Sequence, residues 1–277
     1  MKEAVKNALK TFGIYHPLQS RYRKFLSYLQ RSRYRFTYSR LEGKGYTCNN
    51  CGRTYARFAD SFPKREDREA LQRNKVIAGY GYNIICPGCL STARERLVLA
   101  WLHQWNISGW KVLHFSPEKP VSNFLQKHCN LITADLEPGF YKNIDRSIKK
   151  ENALTLSFSN DSFDLLVANH ILEHIPDDRT AIREFFRVLK PGARAILQVP
   201  YTNENPTIES STIPDPKTAS RLYGQKDHAR IYNLRDYVTR LKETGFSIEV
   251  VQYNEMKHLH HFAIQENEDF LVITKPA

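Results

Sequence analysis

From residue 110 onward, short apolar runs alternate with amphipathic stretches. Trp110–Phe115 and Leu131–Asp135 have strand length, and the second ends in an acid. Leu165–Ala168 is a third such run, and Ala195–Val199 a fourth. Between the last two, residues 181–190 carry apolar positions at helical spacing, and Pro191-Gly192 reads as their stop. Strand, polar loop, helix and strand make a βαβ unit. Repeats of that unit build an open parallel sheet, whose ligands sit outside the carboxyl ends of the strands. Polar side chains begin abruptly at that edge, with Asn169 and His170.

The first hundred residues are patterned differently. Ala4, Val5, Ala8, Leu9 and Phe12 recur at helical spacing between Lys2, Lys6 and Lys10, and residues 13–18 break that helix. A second basic and aromatic run follows, with Tyr22, Phe25, Leu26, Tyr28 and Leu29 among Arg21, Arg23 and Lys24. Residues 1–40 therefore read as a leader of two amphipathic basic helices. Such helices suit an anchor at a membrane interface, and equally suit packing on the protein's own body or on a second subunit. Residues 91–106 form a further helix, with Leu97, Val98, Trp101, Leu102 and Trp105 on one stripe.

Between leader and helix lie two CxxC pairs, Cys48/Cys51 and Cys86/Cys89. A two-residue gap lets both sulfurs of a pair face one ion, and four thiolates form a closed tetrahedral set suited to structural Zn²⁺. Gly52 and Gly88 read as the tight turns of the two knuckles. The spacing between the pairs exceeds that of a simple ribbon, which predicts an inserted basic loop or helix over 57–75. A redox dithiol and reduced structural cysteines are the competing readings. Cys129 stands alone in an apolar setting and reads as core. The expected organisation is a leader (1–40), a zinc-ribbon-like module with its linking helix (41–106) and an α/β domain (107–277).

Charge sharpens this division. The chain of 277 residues has a formal net charge of +12, and residues 1–100 hold 20 Lys and Arg against 7 Asp and Glu. The excess lies wholly ahead of the α/β domain, so an anionic neighbour is expected: phospholipid headgroups, a phosphorylated carrier or nucleic acid. No apolar run reaches the roughly 18–20 residues that span a bilayer. A cytoplasmic protein, in peripheral contact with the inner membrane surface, is the expectation.

The phrases Phe163–Ile175 and Ala181–Gly192 resemble the class I S-adenosylmethionine (SAM) dependent methyltransferases, and the resemblance extends over about residues 86–275. It implies a Rossmann-like seven-stranded sheet, closed by the segments 234–244, 246–253 and 270–274. It also implies that Asp135, ending the second strand, accepts bonds from both ribose hydroxyls, since a carboxylate offers two acceptors to a vicinal diol. Where the family has a glycine-rich turn, this chain reads His114-Phe115-Ser116-Pro117-Glu118, without glycine. The variant resembles that of a bacterial methyltransferase subgroup with an N-terminal CPxC element, here Cys86–Arg96. His114, Ser116 and Glu118 are then cofactor candidates, and Glu118 is the expected partner of the cofactor's α-ammonium. Asn152 and Ala153 take the place of the adenine-contacting segment, and Asn169 and His170 face the transferred methyl.

After Pro200 the chain is polar and Pro-rich over about twenty residues, and residues 201–232 read as a substrate lid. The lid ends in Asp227, His228 and Arg230, where an Asp–His base and an anion clamp are expected. His170 and His174 are the other candidate bases. The expected activity is O-methylation of a sugar or related polar metabolite, either free or carried on a lipid or nucleotide diphosphate. RNA methylation and a non-catalytic scaffold are the alternatives.

Overall fold

The computed structural model describes residues 15–77 and 79–277. The first expected leader helix lies outside them. The second run is one 23-residue helix, α1 (Tyr15–Thr37), which starts inside the segment read as a break. Pro17 is tolerated there because the first-turn N–H groups of a helix have no intrahelical partner.

The cysteine-rich module consists of two small antiparallel pairs. β1 (Glu42–Thr47) joins β2 (Thr54–Tyr55), and β3 (Ala59–Ser61) joins β4 (Gly81–Ile85), with α2 (Arg65–Arg73) inserted between β3 and β4. An inserted helix is thus present within 57–75, but it is not basic, since Arg65, Arg68 and Arg73 are balanced by Glu66, Asp67 and Glu69. α3 (Ala93–Gln104) follows, opened by a capping box in which Thr92 and Glu95 satisfy each other's backbone.

The α/β domain runs β5 (Lys111–Phe115), α4 (Lys119–His128), β6 (Asn130–Asp135), β7 (Lys149–Lys150), β8 (Phe163–Val167), α5 (Asp178–Val188) and β9 (Leu189–Ile196). It then interposes β10 (Tyr201–Thr202), β11 (Ile208–Glu209), α6 (Pro216–Tyr223) and β12 (Arg230–Asn233). It ends with α7 (Leu234–Glu243), β13 (Ser247–Val251), a 3₁₀ segment (Tyr253–Phe262) and β14 (Phe270–Thr274). The main sheet is seven-stranded in the order β13-β14-β9-β8-β5-β6-β7, parallel except for β14, which is antiparallel to both neighbours. Alternate residues feed the two faces. Leu113, Leu166 and Ala195 pack under α5 and α7, while Val112, Leu165 and Ile196 pack under α3, α4 and the 3₁₀ segment. The expected α/β class and seven-stranded sheet are therefore present.

Two details differ from the expectation. Pro191-Gly192 does not stop the helix; α5 ends at Val188, and the pair lies inside β9. Gly192 turns left-handed (φ +77°) there, and its N–H donates to Lys275 O on the neighbouring edge. The lid is structured as well. β10, β12 and β11 form a three-stranded sheet, and α6 packs on α2 of the cysteine module. Gly224 makes that approach feasible: it caps α6 at φ +75°, and a Cβ there would come within 2.5 Å of Leu71. Arg73 and Asn74 complete the clasp by donating to Arg221 O and Leu222 O.

Candidate active site

The carboxyl ends of β5, β6 and β8 bound one cleft of about 480 Å³, lined by Ser116, Asp135, Tyr141, Asn152, Ala153 and His170 among others. β5 ends without glycine, yet the chain makes the turn glycine would make. Ser116 adopts φ +48°, and its hydroxyl donates to Asp135 Oδ2. The Glu137 N–H donates to the other oxygen at 2.6 Å, and burial holds the Asp135 carboxyl above its ordinary range despite both bonds. A carboxylate acceptor at the sheet edge, among the apolar walls Phe115, Leu136 and Ile171, suits a nucleoside whose free diol donates.

A second cleft of about 330 Å³ lies beside the first, and His170 and His174 line both. Its walls come from three parts of the chain: Ser61, Ile84, Ile85, Thr92 and Arg94 from the cysteine module and its helix, Gln225 and His228 from the lid, and Glu173 from the loop after β8. His170 is held at φ +52° by its N–H bond to Gln198 O. Its Nδ1 lies 3.4 Å from Glu173 Oε1, and its buried Nε2 has no hydrogen-bond partner. Burial alone would raise the Glu173 carboxyl, but His170, followed by His174 and His228, brings it down to about 2. Burial lowers His228 to about 4 and leaves it neutral.

Residues 117–197 match the family described as methyltransferase domain. That segment is similar to a methyltransferase domain. It is 34% identical over 103 residues to a demethylmenaquinone methyltransferase of Lactococcus lactis, spanning 36% of each chain. It is 24% identical to an O-methyltransferase of Aspergillus nomiae over 70% of this chain and 80% of that one. A phosphoethanolamine N-methyltransferase of Arabidopsis thaliana is 26% identical over 70% of this chain and 39% of its own length. The chain thus spans about a third of the length of the first of these relatives. A solved SAM-dependent methyltransferase from Methanosarcina mazei superposes with a TM-score of 0.43 at 19% identity, over 64% of this chain and 96% of that one.

Within the α/β domain, the expected residues sort by place. Ser116, Asp135, Asn152, Ala153 and His170 line the first cleft. Asn152 uses its side-chain oxygen to accept from the Leu154 N–H, leaving that oxygen one further lone pair. His114 does not reach the cleft. Its buried ring, lowered to about 4 by desolvation, accepts the Glu118 N–H at Nε2 and meets Ser122 Oγ at Nδ1, so it supports the loop from behind. The Glu118 carboxylate is already engaged, accepting from Arg94 Nε at 2.9 Å and from the Asn169 amide at 3.1 Å. Burial would raise Glu118, but Arg94 overcomes this and holds it ionised. The expected free partner for an ammonium is therefore a bridge tying α3 to the loop after β8.

The lid cluster divides too. His228 lines the second cleft, but the neighbouring Asp227 does not orient it; Asp227 is exposed, and its carbonyl accepts from His174 Nδ1 at 3.0 Å. Arg230 clamps no acceptor. It is fully buried beneath the lid, where it donates to the carbonyls of Leu172, Ile175 and Pro176 and pairs with Glu209. Glu173 is absent from the expected site, although His170, Glu173 and His174 stand at the i, i+3, i+4 spacing that could have revealed it.

The four cysteines converge, unbridged, with their sulfurs within 4.8 Å of one another. Cys48–Cys89 is 3.6 Å and Cys51–Cys86 3.8 Å. A tetrahedron with Zn–S bonds of about 2.3 Å has edges of roughly 3.8 Å, so these two edges match and the four-thiolate set suits Zn²⁺. The knuckles turn at Gly52 (φ +72°) and Leu90 (φ +67°); Gly88 instead provides room, since a Cβ there would meet Arg53 at 2.7 Å. Beneath the sulfurs, the buried Arg96 donates to the carbonyls of Asn83, Ile84, Ser91, Phe262 and Ala263 and stacks over Phe58. One guanidinium thereby joins the module to the α/β domain.

Proposed function

We propose that the protein transfers the methyl group of SAM to an oxygen of a small polar acceptor, a sugar or related metabolite, seated in the second cleft. The observation that carries this reading is the meeting of the two clefts at His170. Asp135 and Asn152 hold the nucleoside, and SAM supplies an activated methyl on a sulfonium. His170 Nε2, free and buried at the junction, takes the acceptor's hydroxyl proton, and Glu173 stabilises the resulting imidazolium. The cysteine set holds a structural Zn²⁺. With no open coordination position, that ion shapes the acceptor wall and takes no part in the chemistry.

Isothermal titration with S-adenosylhomocysteine tests the cofactor half. The native chain binds it, and Asp135→Ala weakens binding roughly 10–100-fold, as expected for loss of a charge-assisted pair of hydrogen bonds. Equal binding by both proteins refutes the assignment. Transfer of labelled methyl into a panel of sugars and sugar conjugates tests the acceptor half.

Part of this proposal is that the acceptor reaches the site from an anionic membrane surface. α1 supports it: Tyr22, Phe25, Tyr28 and Phe36 are exposed among Arg21, Arg23, Lys24 and Arg33. No described helix is long and apolar enough to cross a membrane. Co-sedimentation with anionic but not neutral vesicles, weakening with salt, is expected. Binding to RNA in place of vesicles would favour the nucleic-acid reading.

A further inference from the structure

The second cleft contains a set of side chains that proton transfer alone does not explain. Glu173, His174 and His228 each offer a donor atom, and these atoms lie within 4.8 Å of one another. Glu173 is 1% exposed, and neither of its carboxylate oxygens has a hydrogen-bond donor; His228 Nδ1 is likewise buried without a partner. A buried carboxylate with one oxygen facing no donor and the other only the distant His170 is costly, so the arrangement calls for a cation or donor from outside the chain. His170 faces Oε1 at 3.4 Å and leaves Oε2 without a neighbouring donor.

The surroundings of the set are those of a ligand shell. His174 Nδ1 sits 3.0 Å from the Asp227 carbonyl, which assigns the N–H to Nδ1 and leaves the Nε2 lone pair free. The Ala229 N–H donates to Glu173 O, which pins the His228 segment against the loop that carries the carboxylate. The rings of His174 and His228 meet edge to face at 4.6 Å. The wall is completed by Arg94, Gln225 and the mouth of the cleft, so part of any coordination sphere stays open to the acceptor.

We infer that Glu173, His174 and His228 bind a divalent first-row transition-metal ion that holds and activates the acceptor. Two neutral imidazoles and one carboxylate are the donor set such ions take when positions are left open for substrate. The ion makes the acceptor hydroxyl more acidic. The O–H proton passes to His170 Nε2, the oxygen lone pair forms the new O–CH₃ bond, and the C–S pair returns to sulfur as the neutral thioether. An acceptor with two adjacent oxygens would bind in bidentate fashion, as a sugar diol can. The inference rests on the methyltransferase reading for its chemistry, though not for the existence of the site.

Cobalt titration of the full chain, with metal counted by elemental analysis and followed by visible absorption, separates the two candidate metal sites. Co²⁺ at the cysteines gives intense thiolate-to-metal charge transfer, and Co²⁺ at the histidine set gives none. We expect a second equivalent without the thiolate band. It should be lost, or weakened at least about tenfold, in Glu173→Gln and in His228→Ala. S-adenosylhomocysteine binding, read on the same proteins, reports that the variants fold. One equivalent in the native chain, or an unchanged second equivalent in both variants, overturns the site. Loss of S-adenosylhomocysteine binding by the native chain, with the second equivalent intact, overturns the methyltransferase reading and leaves the metal site standing.

Discussion

Ser116 and Glu173 show what single residues contribute to this site. Ser116 occupies a left-handed conformation that favours glycine, and its hydroxyl fixes Asp135, the acid proposed to bind the ribose, in return. Ser116→Gly should therefore relax the backbone while freeing Asp135. We expect stability within about 1 kcal/mol of the native chain and S-adenosylhomocysteine affinity reduced several-fold, measured by denaturant unfolding and calorimetry. Glu268 gives the clearest pH signature, since burial pushes its carboxyl up to about 7. The unfolded chain ionises this group near 4.5, so the folded state holds the extra proton between those values, and the group's contribution to stability is lost as pH rises through that window. Glu268→Gln removes this loss and should gain roughly 3 kcal/mol on the native chain between pH 4.5 and pH 8. Parallel stability curves would contradict it. His114 carries the opposite slope: with its pKa lowered to about 4, it costs stability as pH falls below 6.5. Asp135 was legible from the end of its apolar run. Glu173 was legible only as a neighbour of His170 and His174 in spacing, because the fold alone turns its side chain inward to meet His228, fifty-five positions on.

Among elements, α3 joins the cysteine module to the α/β domain. Its capping box fixes its start, Arg94 reaches Glu118 and the second cleft, and Arg96 gathers carbonyls from three separate segments. Arg96→Leu leaves those buried carbonyls without donors and should cost roughly 3–5 kcal/mol. A loss below 1 kcal/mol in chemical unfolding would show that the module is not anchored there. The spacing of Leu97, Val98, Trp101 and Leu102 announced this helix. The bonds of Arg94 and Arg96 did not show in it, because a long side chain on a helical stripe looks the same whether it meets solvent or five carbonyls. The same limit explains Pro191-Gly192, a helix stop by local chemistry that the register of β9 absorbs as an irregular strand.

In the whole molecule, the proposed acceptor cleft is a joint product of cysteine module, lid and α/β domain, held by Gly224 against Leu71. The proposed cofactor cleft is lined by residues of the α/β domain. Disrupting the cysteine set by Cys86→Ser should therefore raise the acceptor KM at least about tenfold, with S-adenosylhomocysteine affinity changed less than about twofold. Equal loss of both, by kinetics and calorimetry on that variant, would show that the two clefts are not separable. The strand runs and the cysteine set could be read from periodicity and spacing, and the seven-stranded sheet from the family resemblance. The union of the three parts could not, since it depends on contacts such as Arg73 with Arg221 that no local pattern encodes.

The most direct measurement is the structure of the protein with S-adenosylhomocysteine bound. The account places the ribose on Asp135 and the thioether at the junction beside His170, with the second cleft left open for an acceptor. Nucleoside found in the second cleft, against Glu173 and His228, or a sulfur far from His170, would contradict it.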